Sequence, residues 1–122
     1  MYRLELTLLG LPKMTNCSNN HWRSRQAEAK KWKSMVASQI ILQRLQKPAL
    51  PLTKAKIVFT RYSSKMPDFD GLVSGCKHLL DGLKIVGIIA DDNPLIIGQP
   101  EYKWLQAKRN EGRIEIIVEE VA

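Results

Sequence analysis

Two cysteines in 122 residues are too few for a disulfide scaffold. No apolar run approaches the roughly 18 residues of a membrane-spanning helix. The N-terminus, Met1-Tyr2-Arg3-Leu4-Glu5, lacks the charged-then-apolar plan of a secretion signal. No glycine-rich phosphate loop is present, so no nucleotide cofactor is expected. Repeats, linkers and low-complexity tracts are missing as well. Acidic residues are nearly absent from the first half, where only Glu5 and Glu28 occur before residue 66. These absences exclude a secreted scaffold and a membrane protein. They leave the expectation of a soluble, intracellular, basic domain.

What is present suffices for a core. The chain is 44% hydrophobic, and a single domain of this length buries roughly two-thirds of its unfolded surface. The charge is unevenly placed. Residues 1–65 hold 13 Lys and Arg against those two glutamates, a net of +11, while residues 66–122 hold 6 basic and 10 acidic residues, a net of −4. A basic body points to a polyanion, because Lys and Arg contacts to phosphate dominate nucleic-acid affinity. All five aspartates (Asp68, Asp70, Asp81, Asp91 and Asp92) lie between positions 68 and 92. Carboxylates repel a phosphate backbone unless a divalent cation sits between them. Aspartate also favours helix caps and turns, so both roles stand open.

Residues 2–9 alternate apolar and polar and predict a half-buried strand. From about Ser24 to Gln46 the pattern is helical, with Ala29, Trp32, Val36, Ile40, Ile41 and Leu45 as its stripe. Lys47-Pro48 ends it, since proline cannot continue a helix. Ala55 to Tyr62 predicts a second strand. Asp70 to Leu83 predicts a second helix, closing near Gly82 or Gly87. The last third predicts short strands at Val86–Ala90, Leu95–Ile97, Tyr102–Ala107 and Arg113–Glu119, with Arg109-Asn110-Glu111-Gly112 as a hairpin loop joining the last two. The expected fold is one α+β domain over residues 1–122, a mixed β-sheet with two main helices on one face.

In an extended segment, residues two apart project to the same side. Asp68 and Asp70 in Pro67-Asp68-Phe69-Asp70-Gly71-Leu72 are thus placed to reach one cation. Asp70, Ser74, Lys77 and Asp81 follow at i, i+4, i+7 and i+11 on one helix face. A solvated face with a surface ion pair accounts for that row equally well. Asp91-Asp92-Asn93-Pro94 reads either as a turn or as a second carboxylate pair at a strand end. Cys17-x3-His21 with Cys76-x-His78 makes a poor zinc set. The latter pair faces different sides of a helix, and Cys76 lies on the apolar stripe.

Taken in order, Asp68-Phe69-Asp70-Gly71-Leu72, Leu80-Asp81-Gly82-Leu83 and Gly87-Ile88-Ile89-Ala90-Asp91-Asp92 resemble the RusA family of Holliday junction resolvases. Upstream, Leu11-Pro12 and Ser18-Asn19-Asn20-His21-Trp22-Arg23 resemble the family's early segment, and the likeness runs over roughly residues 2 to 120. The resemblance implies a RusA-like fold. It implies a homodimeric, Mg²⁺-dependent endodeoxyribonuclease, with Mn²⁺ as a substitute, that resolves four-way DNA junctions by paired phosphodiester cleavage. Its setting would be recombination and repair in the cytoplasm of a bacterial or phage-infected cell. It also implies Asp68, Asp70 and Asp92 as catalytic metal ligands, with Asp91 in support.

Two departures stand out. The family's lysine four residues after the second aspartate is Ser74 here. Lys77, on the same helix face, is then the candidate to stabilise charge on pentacoordinate phosphorus. The family's arginine-rich run before the aspartates is reduced to Lys65. The expected DNA surface comprises Asn20, Trp22, Arg23, Arg25, Lys30, Lys31, Lys33 and Lys65. Trp22 offers its ring either for stacking at the branch point or for the core. The alternative, suggested by Ser74, is a catalytically inactive branched-DNA-binding protein of the same fold.

Overall fold

A computed structural model describes the backbone of residues 1–12 and 22–122, and the side chains of residues 1–12 and 25–122. In chain order the elements are β1 (Arg3–Leu9), α1 (Trp22–Leu42), β2 (Ala55–Ser63), α2 (Phe69–Ile85), the one-turn α3 (Pro94–Ile97), β3 (Glu101–Gln106) and β4 (Arg113–Glu120). The strands form one mixed sheet in the order β1-β4-β2-β3. β4 is antiparallel to both β1 and β2, and β3 is parallel to β2.

The two-residue period of each strand turns alternate side chains toward the helices. Pairing register aligns them into three rows: Leu4–Val118–Ile57, Leu6–Ile116–Phe59–Tyr102 and Leu8–Ile114–Arg61–Trp104. Trp32, Val36 and Ile40 of α1 and Cys76, Leu79 and Leu83 of α2 close the core over them. The two helices cross at Gly82, where a Cβ would stand 3.0 Å from Val36 Cγ2. The expected α+β domain, with a mixed sheet and two main helices, is what the chain forms. Among the described residues, no helix is long and apolar enough to cross a membrane.

Both long helices end in the same hydrogen-bond pattern. At α2, Ile88 N–H donates to Leu83 O (3.0 Å) and Gly87 N–H to Lys84 O (3.1 Å), with Gly87 at φ +86°. This is the Schellman arrangement, which needs a left-handed residue just past the helix. At α1, Leu45 N–H donates to Ile40 O and Arg44 N–H to Ile41 O, with Arg44 at φ +54°. The left-handed Arg44 ends the helix at Leu42, short of the expected Gln46, a stop that an arginine does not signal in the sequence. Ile41, expected in the apolar stripe, is 74% exposed. Gly87→Ala is expected to cost about 1–2 kcal/mol, the left-handed penalty of an L-residue. Arg44→Gly should regain part of that penalty at α1. Urea unfolding of both variants checks the pair.

Three expectations are corrected. The strand at Val86–Ala90 shrinks to a single bridge, Leu52 with Ile89. There Leu52 N–H donates to Ile88 O and Ala90 N–H to Leu52 O, both at 2.9 Å, and Ile88 and Ile89 are buried directly after the α2 cap. Leu95–Ile97 is helical, because Asn93 accepts a hydrogen bond from Leu95 N–H (3.0 Å) and Pro94 opens the turn. A three-residue apolar run has no period to tell helix from strand. Residues 109–112 do not form a hairpin loop. Arg109–Glu111 is a 3-10 turn, and β2 lies between β3 and β4 in the sheet.

Candidate functional site

β2 and β3 run parallel and so finish at the same edge of the sheet. From there Ser64-Lys65-Met66-Pro67 leads into α2. Asp68 is the N-cap, at φ −71° and ψ 163°, and its Oδ1 accepts from Gly71 N–H at 3.0 Å. Asparate-type caps satisfy an amide that the helix leaves open. Helix begins at Phe69, so Asp70 stands in the first turn, exposed. The expected extended segment across Asp68 and Asp70 is therefore corrected to an N-cap followed by helix, because the chain is already helical at Phe69. Ser74 Oγ donates back to Gly71 O at 3.2 Å. Further along α2, Lys77 is exposed and Asp81 half-buried.

Asp91 and Asp92 lie elsewhere. Asp91 Oδ1 pairs with Lys84 Nζ at 3.0 Å and accepts from Asp92 N–H at 2.8 Å, and its Oδ2 accepts from Asn93 Nδ2 at 3.2 Å. Lys84 is in the last turn of α2. Asp70 and Lys84 are fourteen residues apart, or about 21 Å of helix. One chain thus sets its two acidic pairs at opposite ends of α2. Among the described residues, no group of three or more His, Cys, Asp or Glu side chains is placed to hold a metal ion. The reading of Asp68, Asp70, Asp91 and Asp92 as one ligand set is not met within a single chain.

The hydrogen bond from Lys84, then those with the Asp92 amide and carboxyl, pull the Asp91 carboxyl down from 3.8 to about 2. A carboxyl whose folded pKa is depressed supports the native state above its unfolded pKa. That support fades as pH falls from about 4 through about 2. In an NMR titration the Asp91 carboxyl should therefore show its midpoint near 2. Lys84→Met should move that midpoint up toward the ordinary aspartate range.

A cavity of about 570 Å³ opens at the sheet edge beside Asp68, with Arg61, Ser63, Lys65, Asp68 and Arg109 in its lining. Lys65 and Arg109 are exposed, whereas Arg61 is buried. Asp68 and Asp70 supply hard oxygen donors at this end. Two carboxylates with a substrate phosphate are what Mg²⁺ commonly takes, because it keeps several of its waters. The donor chemistry at the α2 N-terminus therefore fits Mg²⁺, with Asp91 and Asp92 too distant to share it in the same chain.

Of the expected DNA contacts, Asn20 and the side chains of Trp22 and Arg23 lie outside the described residues. Arg25, Lys30 and Lys31 are exposed on α1 and Lys33 is half-buried. Lys31 Nζ stands 5.3 Å from the Trp32 ring centroid. Cys76 is 1% exposed, and burial pushes its thiol up to about 12, as a core residue. Arg61 and Arg109 were not among the expected site residues. A signal for Arg61 did exist, since the β2 alternation Ala55, Ile57, Phe59 carries it onto the apolar face. No family model matches the chain, and no curated protein matches it.

Proposed function

We propose that this chain is a RusA-like, Mg²⁺-dependent, structure-selective endodeoxyribonuclease acting on four-way DNA junctions as a homodimer. The observation that carries the reading is the α2 N-terminus. There Asp68, two residues before the exposed Asp70, lines a cavity whose other charged lining among the described residues is cationic. Arg61, Lys65 and Arg109 draw in a strand phosphate, and the two aspartates hold the cation beside it. When bound, Mg²⁺ supplies polarisation of the phosphoryl oxygen and acidification of a water. The exposed Lys30 and Lys31 of α1 add further positive charge to the chain's surface. Lys77, about two turns beyond Asp70, is the candidate cation in place of the family's lysine.

Asp92 enters through symmetry. A two-fold dimer that sets the Asp91–Asp92 end of one chain against Asp68–Asp70 of its partner assembles the full carboxylate set twice. Two such sites match the paired cuts that junction resolution requires. A synthetic four-way junction incubated with Mg²⁺, Mn²⁺ or EDTA tests the reading. Paired nicks are expected with either metal and none in EDTA.

A second reading draws on the separation of the acidic pairs within one chain and on Ser74, whose hydroxyl is bonded to its own helix. In that reading the chain binds branched DNA and does not cut it. Salt-sensitive junction binding with no nicks under any metal would favour it.

A further inference from the structure

Arg61 is a charged side chain standing in a core row of the sheet. It is in register with Ile114 on β4 and Trp104 on β3, and it is only 8% exposed. Its Nη1 donates to Pro12 O at 3.2 Å. Its Nε is buried and has no hydrogen-bond partner among the described residues. The ion pairs among the described residues do not include Arg61. Burial lowers its pKa from the ordinary arginine value, yet a guanidinium stays charged at neutral pH. An unpaired charge is among the costliest groups to place in a protein interior.

The surroundings indicate what would complete it. Arg61 lines the cavity at the sheet edge together with exposed Lys65 and Arg109. The Ser63 hydroxyl in the same lining is already engaged: it donates to Lys65 O and accepts from Trp104 Nε1, both at 2.8 Å. It braces the loop that carries Lys65. Asp68 is the carboxylate in this lining, with Oδ1 held on the Gly71 amide. Among the described residues three cations line this cavity, one of them a buried guanidinium, and together they match a tetrahedral dianion or phosphodiester. A guanidinium edge pairs with phosphate through two parallel hydrogen bonds.

We propose that this cavity seats a phosphate group, with the buried Arg61 guanidinium as its anchor and Lys65 and Arg109 as its rim. That the phosphate belongs to a DNA strand rests on the function proposed above. The cavity then fixes a backbone phosphate next to Asp68, and Arg61 acts as a positioning residue.

The test uses the full chain in EDTA, so that nicking plays no part and failure of the nuclease reading is scored separately. Thermal unfolding is followed in chloride and in inorganic phosphate at matched ionic strength. Affinity for a short thymidine oligonucleotide is measured alongside. Phosphate is expected to raise the wild-type Tm. Arg61→Met is expected to fold with a Tm in chloride no lower than wild type, because a buried charge is gone. It should keep only the general stabilisation that phosphate gives any protein, and it should weaken the oligonucleotide Kd by at least about tenfold. Arg109→Gln, at an exposed position, should weaken the same Kd and carries the test if Arg61→Met does not fold. A full phosphate-dependent rise retained by Arg61→Met overturns the proposal, as does the absence of any rise in wild type. A rise with inorganic phosphate, together with an oligonucleotide Kd unchanged in both variants, upholds the phosphate site and overturns its assignment to DNA.

Discussion

Asp70→Asn is expected to leave junction binding intact and to lower Mg²⁺-dependent nicking by at least about a hundredfold, close to 3 kcal/mol of transition-state stabilisation. Asp70 is exposed in the first turn of α2, and asparagine keeps its size while removing the charge that holds the cation. Fold and DNA grip should not change. Gel-shift and nicking assays on the same junction separate the two effects, and undiminished cutting would end the assignment. The placement of the acidic pairs at opposite ends of α2 adds a sharper outcome. If the site is completed across a dimer, Asp92→Asn should be equally inactive. Mixing the two inactive variants should then restore cleavage, because a mixed dimer contains one site with neither substitution. The restored product would be a single nick rather than a pair. No recovery on mixing would confine each site to one chain.

Trp32→Ala is expected to lower stability by about 3–5 kcal/mol, the range for removing a large buried aromatic. Trp32 is 1% exposed, in the core beneath α1, and its Nε1 donates to Glu28 Oε1 at 2.8 Å. A domain of this size holds only about 5–15 kcal/mol in total, so the variant should sit near its unfolding threshold. Urea unfolding with an unchanged slope would show the loss as native-state stability. Trp32→Phe, which keeps much of the volume and loses the hydrogen bond, should cost clearly less.

How far the sequence could be read depended on whether each signal was local. β1, β2, β3 and β4 were legible because alternation and β-branched content belong to each segment on its own. The start of α2 was legible to within a residue, Asp70 against Phe69, from the apolar stripe that follows, whereas the cap at Asp68 came from the structure. The end of α1 was not, because Arg44 takes a left-handed conformation that arginine does not advertise. Residues 95–97 were too few to show a period, and the Asn93 cap decided them.

The site divided in the same way. The Asp-x-Asp and Asp-Asp segments were visible as motifs, and Asp68 does line a basic cavity. Their separation from Asp91 and Asp92 was invisible, since it follows from the rise of a 17-residue helix laid between them. Arg61 shows the converse. The alternation of β2 placed it on the apolar face, and only packing showed that no carboxylate among the described residues pairs with it there.

By itself, the sequence determined an α+β domain, a basic first half, and aspartates confined to residues 68–92. Composition and short-range pattern are enough for that, because they act within a few residues. Tertiary structure decided which charges become neighbours. The parallel pairing of β2 with β3 gathers Arg61, Lys65 and Arg109 at one sheet edge, while α2 carries the second acidic pair to the other end. Proximity across the fold is set by strand order and helix length, and neither is written at any single position of the chain.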